Sequence, residues 1–266
     1  MAFSKIQSVS VGTTGAASAT TIAATVSAVG SGNVICGLVS WDDIGPSLTS
    51  VTDNQGNTYN LETTILNVGD GQRNAAFSRT NITNAPTVIT ANFSATVDFR
   101  AIFVDEFSGG STASTDERDG TAHGGQYQAS PGTGTDAVTS GSFTTAVNGD
   151  LLWGGSSTQS VITLTIGTSF SAGGSAGGGP VCATEYRVQT TAGSGTAATF
   201  TESGTSGPTV TYLIAIKPPG GAAAVPFKSY DWSVNKILPD WQPAALQPYN
   251  QSLYSVTYTL MGQAWC

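Results

Sequence analysis

The chain has 266 residues, of which 39% are hydrophobic and only 10% charged, with 33 glycines and a formal net charge of −8. Apolar content of that size, arriving in short β-branched runs, excludes a disordered polymer. The nine Lys and Arg residues are scattered, which excludes a phosphate-backbone binder, and no run of ~20 apolar residues is present that could span a membrane as a helix.

In chain order, the first 30 residues are rich in small residues, but Ser, Thr and Gly interrupt every apolar stretch. They read as mature protein made in a cytoplasm, without a signal peptide, so the Asn-X-Ser/Thr sites at Asn81, Asn92 and Asn250 carry no weight. Apolar runs between Gly, Ser, Asn and Asp clusters then predict strands over Asn33–Trp41, Ala75–Asn81, Thr87–Phe93 and Phe99–Phe107. Further strands are predicted over Asp150–Gly155, Val161–Ile166, Ala183–Val188, Thr196–Thr201 and Thr209–Lys217. No sustained helical period precedes residue 217.

The pattern repeats. Gly32-Asn33 opening VICGLVSW matches Gly149-Asp150 opening LLWGGSS, and the segment from Ala75 to Phe93 parallels that from Ala183 to Thr201, with Arg79 matched by Arg187. The fold predicted is all-β: a jelly-roll-like antiparallel β-sandwich of two similar halves, followed by a C-terminal extended arm. Residues 109–135 and the glycine-rich 171–180 read as long loops. The sandwich spans residues 1–217 and a Pro/Gly/Ala linker residues 218–226. Residues 227–266 hold three of the five tryptophans. A segment of ~40 residues is too short to build its own core, so Tyr230, Trp232, Trp241, Tyr249, Tyr254, Tyr258 and Trp265 are expected to anchor a partner.

Candidate chemistry is sparse. Cys36, Cys182 and Cys266 are too widely spaced for a metal knuckle, and the first two fall in strands, so buried thiols are expected. The only histidine, His123, lies in the polar run Asp116–His123 and reads as a solvated side chain. Asp116, Glu117 and Asp119 offer oxygen ligands but match no calcium-binding spacing. The pairs Asp42-Asp43, directly after the strand ending at Trp41, and Asp105-Glu106, within a strand, are each adjacent residues; neighbours along a strand point to opposite faces, so neither pair alone forms a glycosidase dyad. Arg100 is expected to balance Asp105 or Glu106. Trp41, Tyr59 and Tyr127 could stack on sugar rings, although Trp41 reads as a cap on the core. No enzyme, cofactor or metal site is predicted.

Three features carry a resemblance: Val51-Thr52-Asp53-Asn54-Gln55-Gly56-Asn57-Thr58-Tyr59, the FVDEFSG run over Phe103–Gly109, and the closing TYLIAIKP over Thr211–Pro218. With these, residues 1–218 resemble β-sandwich virion proteins of tailed bacteriophages. The resemblance implies a non-enzymatic capsid decoration or head-fibre protein, docked to other virion proteins through its C-terminal segment and localised to the virion. The alternative is a tail-associated protein that binds a host-surface glycan. A homo-oligomer is expected in either case.

Overall fold

A strand buried on both faces is written as an unbroken apolar run, whereas one that covers a core with a single face alternates. Both kinds occur here, in a fixed order. The computed structural model describes residues 2–13, 17–42, 45–68, 71–129, 137–158, 163–176, 181–203 and 207–220, and among them are sixteen strands and no helix. The first half contains β1 (Ser4–Gly12), β2 (Ala19–Thr25), β3 (Val34–Asp42), β4 (Leu48–Asp53), β5 (Asn60–Leu61), β6 (Ile65–Leu66), β7 (Gln72–Arg79) and β8 (Val88–Ser108). The second contains β9 (Arg118–Gln128), β10 (Ala137–Thr139), β11 (Leu151–Thr158), β12 (Thr163–Ile166), β13 (Ser171–Ala176), β14 (Val181–Val188), β15 (Thr199–Ser203) and β16 (Thr209–Ile216).

All pairings are antiparallel. The two strands predicted over Thr87–Phe93 and Phe99–Phe107 are one long strand, β8, whose first part pairs with β2 and β4 and whose second part pairs with β1 and β3. The change of partners comes at Phe99, whose φ of 44° turns the strand from one limb of the sheet to the other. One eight-stranded sheet therefore has a limb β1-β8-β3-β7, with β5 and β6 on its edge, and a limb β2-β8-β4. The second half repeats this as two sheets, β9-β16-β11-β14-β13 and β10-β15-β12.

Three cores result. Ile22, Val51 and Ile89 of the β2-β8-β4 limb pack on Ile35, Phe77 and Ile102 of the other limb. In the second half Val138, Leu164 and Phe200 pack on Leu152 and Leu213. Between the halves lies a third core, where Val34, Leu38 and Phe103 meet Leu151, Trp153, Tyr212 and Ile214. The β1-β8-β3-β7 limb and the β9-β16-β11-β14-β13 sheet thus face each other as one sandwich, and each is covered outside by its own three-strand layer. Middle-layer strands β3 and β11 are consequently buried nearly throughout, while β2 alternates.

The halves stack with two-fold character. β1 packs against β13, and its counterpart β9 packs against β6 at the opposite edge. This is the reciprocal pattern of an isologous interface, here within one chain. The register confirms the sequence repeat: Ile35 pairs with Arg79 as Leu152 pairs with Arg187. Gly32 and Gly149, which open β3 and β11, both have left-handed φ, at 78° and 88°.

Two predicted loops contain strands. Residues 118–128 of the 109–135 segment form β9, which pairs along β16, and residues 171–176 form β13, which pairs with β14. Both are glycine-rich edge strands. Gly125 lies under the Tyr212 ring, where a Cβ would come within 2.5 Å of Cδ1, so the missing apolar alternation reflects close packing on glycine rather than an absent strand. The ammonium of Lys5 donates to the carbonyl oxygen of Ala172 on β13 at 3.1 Å.

Gly37 in the middle of β3 is a comparable close approach. A Cβ there would collide with the Phe103 carbonyl oxygen and the Phe77 ring. Gly37→Ala is therefore expected to cost about 1–3 kcal/mol, read from urea denaturation. A loss indistinguishable from zero would mean that β3 is free to shift against β7 and β8.

The motif Asp53–Tyr59 satisfies itself. Asp53 Oδ1 accepts from the backbone N–H groups of Gln55 and Asn57, and Oδ2 accepts from Asn57 Nδ2 and the Tyr59 hydroxyl. Arg100 does not balance Asp105 or Glu106, as its guanidinium donates to the carbonyl oxygens of Ala19 and Val97. Cys36 and Cys182 are buried thiols, Cys182 donating to Ser157 Oγ at 3.3 Å, and burial raises both, Cys182 to about 12.

Candidate functional site

Charge is rare in this chain, so the place where charged side chains gather is informative. They gather where β9 begins and β16 ends, near the segment that joins the halves. Arg118 opens β9 and donates from Nη1 to Glu62 Oε1 at 2.7 Å. It also holds Asp116, with Nε–Oδ1 at 2.8 Å and Nη2–Oδ2 at 2.7 Å. His123 Nδ1 lies 2.7 Å from Glu62 Oε2. The Lys217 ammonium pairs with Glu117 at 3.3 Å, and Ser111 donates to the same carboxylate.

Local structure fixes these positions. Glu62 follows β5, and its backbone N–H donates to Ala76 O on β7. That holds its carboxylate, which is 4% exposed, against the facing edge of the second half. Asp116 sits two residues before Arg118 in a turn where its carboxylate also accepts the Arg118 backbone N–H. The hydrogen bonds from Arg118 hold the Asp116 carboxyl below the usual carboxylate range.

His123 is therefore a strand residue paired opposite Ile214, bonded to a nearly buried carboxylate, rather than a solvated loop side chain. Asp116, Glu117 and Asp119 point to three different partners: Arg118, Lys217, and the N–H groups of Ala146 and Val147. Among the described residues no three His, Cys, Asp or Glu side chains converge as metal ligands. Asp105 and Glu106 diverge to opposite faces. Asp105 accepts from Ser8 and from Trp153 Nε1, whereas Glu106 accepts from Gln7, Asn33 and the Gly30 N–H. Asp42 is half-buried at the end of β3, and Asp43 lies outside the described residues.

An open cleft of about 630 Å³ adjoins this cluster, walled by Ser111, Thr112, Glu117, Asn148, Lys217 and Pro218. Its lining is mixed, with Val147, Pro218 and Pro219 beside the polar side chains and the Glu117–Lys217 pair as its charge. Beside it Asp119 and Asp150 are both buried, and burial together with the neighbouring Asp119 raises the Asp150 carboxyl to about 8. A second raised acid, Glu185, is pushed up to about 7 by burial although the Gly167 and Thr199 N–H groups donate to it.

No protein-family model, curated protein or solved structure matches the chain. Glu62 belongs to the first half and Arg118 and His123 to the second, so the network is an electrostatic clasp across one edge of the central sandwich.

Of the aromatic residues considered for sugar stacking, Trp41 and Tyr59 are buried and Tyr127 is packed partly against the central core. Trp41 caps the first outer core beside Phe93, its Nε1 donating to Pro46 O. The seven aromatic residues expected to anchor a partner, from Tyr230 to Trp265, lie outside the described residues, as does Cys266. Glu62, the centre of the clasp, has no counterpart among the sequence candidates, because NLETT carries no motif. Asp150 was visible only as the match to Asn33 across the repeat.

Proposed function

We propose that the chain is a structural component of a particle surface, of the kind found in tailed-phage virions, with residues 227–266 as its docking segment. The observation that carries this reading is the strand order. In each half the first strand lies beside the last, the third strand follows, and the second strand lies beside the penultimate segment: β1-β8-β3-β7 with β2-β8-β4, and β9-β16-β11-β14 with β10-β15-β12. Jelly rolls share this order, and they recur in viral capsid and lectin domains. The warrant is analogy of fold. It is supported by a weakly charged, Ser/Thr/Gly-rich composition and by the aromatic residues concentrated after the Pro/Gly linker.

Residues 1–221 form a compact unit by themselves, so truncation after them tests the docking role. A chain ended at residue 226 is expected to keep the β circular-dichroism signal of the full chain yet be missing from purified particles, where the full chain is present at fixed copy number. Retention of the truncated chain on particles would defeat the docking role. Absence of the full chain from particles would defeat the virion reading itself.

A further inference from the structure

The two halves solve one packing problem in two ways. At the start of β3, Asn33 Nδ2 donates to the buried carboxylate of Glu106 at 2.5 Å, and the Gly30 N–H donates to the same oxygen at 2.9 Å. At the start of β11, Asp150 takes the place of Asn33. Its neighbour is the buried carboxylate of Asp119, which accepts from the N–H groups of Ala146 and Val147. Among the described residues no group donates to either buried oxygen of Asp150. The side chain within its hydrogen-bonding reach is the carboxyl of Asp119, and two carboxyl groups hydrogen-bond to each other only when one carries a proton.

We propose that Asp150 is held as a neutral acid donating to Asp119, and that loss of this proton at alkaline pH frees the 145–150 turn from β9 and reshapes the cleft that Val147 and Asn148 line. The first half is the internal control, because an Asn at the same place is a permanent donor that no pH in the physiological range removes.

The surroundings agree. On β9 the facing groups are Asp119 and Arg118, and the guanidinium of Arg118 is turned to Glu62 and Asp116. From the end of β16, Lys217 lowers the Asp150 pKa, but its ammonium is tied to Glu117. From the far side Gln189 contributes backbone, donating to Asp150 O. Burial and Asp119 outweigh Lys217 and lift the carboxyl to about 8.

The sign follows from linkage. Below about pH 4 Asp150 is protonated both folded and unfolded. Between about 4 and 8 the unfolded chain has lost this proton and the folded chain keeps it, so the contribution to stability falls as pH rises. Above about 8 the folded carboxyl ionises beside Asp119, the slope vanishes and the turn is released.

The test is carboxyl ¹³C NMR and amide hydrogen exchange on the full chain, with exchange expressed as protection factors. An Asp150 midpoint near 8 is expected, with Ala146 and Val147 losing tenfold or more of their protection across it while Gly30 keeps its own. An Asp150 midpoint in the ordinary range near 4 would overturn the proposal, as would protection at Ala146 and Val147 that ignores the titration. In Asp150→Asn the two amides are expected to stay protected through pH 9. If they open in that variant as in the parent, some other group is the switch.

Discussion

Trp153→Ala is expected to lower the unfolding free energy by about 3–5 kcal/mol, about a fifth or more of the 5–15 kcal/mol typical of a domain. Trp153 is fully buried in the central core between the halves, and its Nε1 donates to Asp105 Oδ2 at 2.8 Å. Truncation would remove the largest side chain of that core and leave Asp105, itself buried, with Ser8 as its remaining side-chain donor. Collapse cannot easily refill the space, because Gly155 lies beneath the indole, where a Cβ would come within 2.6 Å of it. Trp153→Phe separates the two contributions. It keeps most of the ring and removes the donor, so about 1–3 kcal/mol of the loss should remain. Urea denaturation followed by circular dichroism measures both variants. Because the central core is shared, the parent should unfold in one transition and Trp153→Ala should broaden or split it. A loss below about 1 kcal/mol would mean that the halves do not depend on each other.

What the sequence disclosed follows from which strands are covered on both sides. β3, β11, β16 and the second part of β8 sit in the middle layers, so they are written as long apolar runs and are readable as strands. The repeat was readable for the same reason, and the matching of Arg79 with Arg187 survives to the level of register. The edge strands β9 and β13 were not readable. Their contribution is backbone pairing and glycine surfaces against Tyr212 and Thr184, neither of which leaves an apolar period. The bend at Phe99 was legible as a break, but not the continuity of hydrogen bonding through it. The clasp was legible only in its local part, the spacing of Asp116 and Arg118. Glu62 meets His123 because two sheets stack, and no spacing in the chain records that contact. The Asp119–Asp150 pair is a middle case, since aligning the repeat puts an acid where an amide stands.

Glu62→Ala is expected to cost about 3 kcal/mol, the low end of the loss when one partner of a buried ion pair is removed. The low end applies because Arg118 keeps Asp116 and its side chain is 18% exposed, so its charge is not wholly stranded. The loss should still exceed that of a surface pair, about 0–1 kcal/mol, because Glu62 is nearly buried and serves two donors from the opposite half. Asp116→Ala, which removes the more exposed carboxylate from the same guanidinium, should cost about 1 kcal/mol or less. That ordering distinguishes a clasp across halves from a local turn. Glu62→Gln keeps an acceptor for Arg118 without the charge and should recover part of the loss. Urea denaturation of the three variants gives the comparison, and a double-mutant cycle between Glu62→Ala and Arg118→Met isolates the pair itself. If Asp116→Ala proves the costlier change, the cluster stabilises the 111–118 turn, and the halves are joined by the central core and the hydrogen bonds that cross it instead.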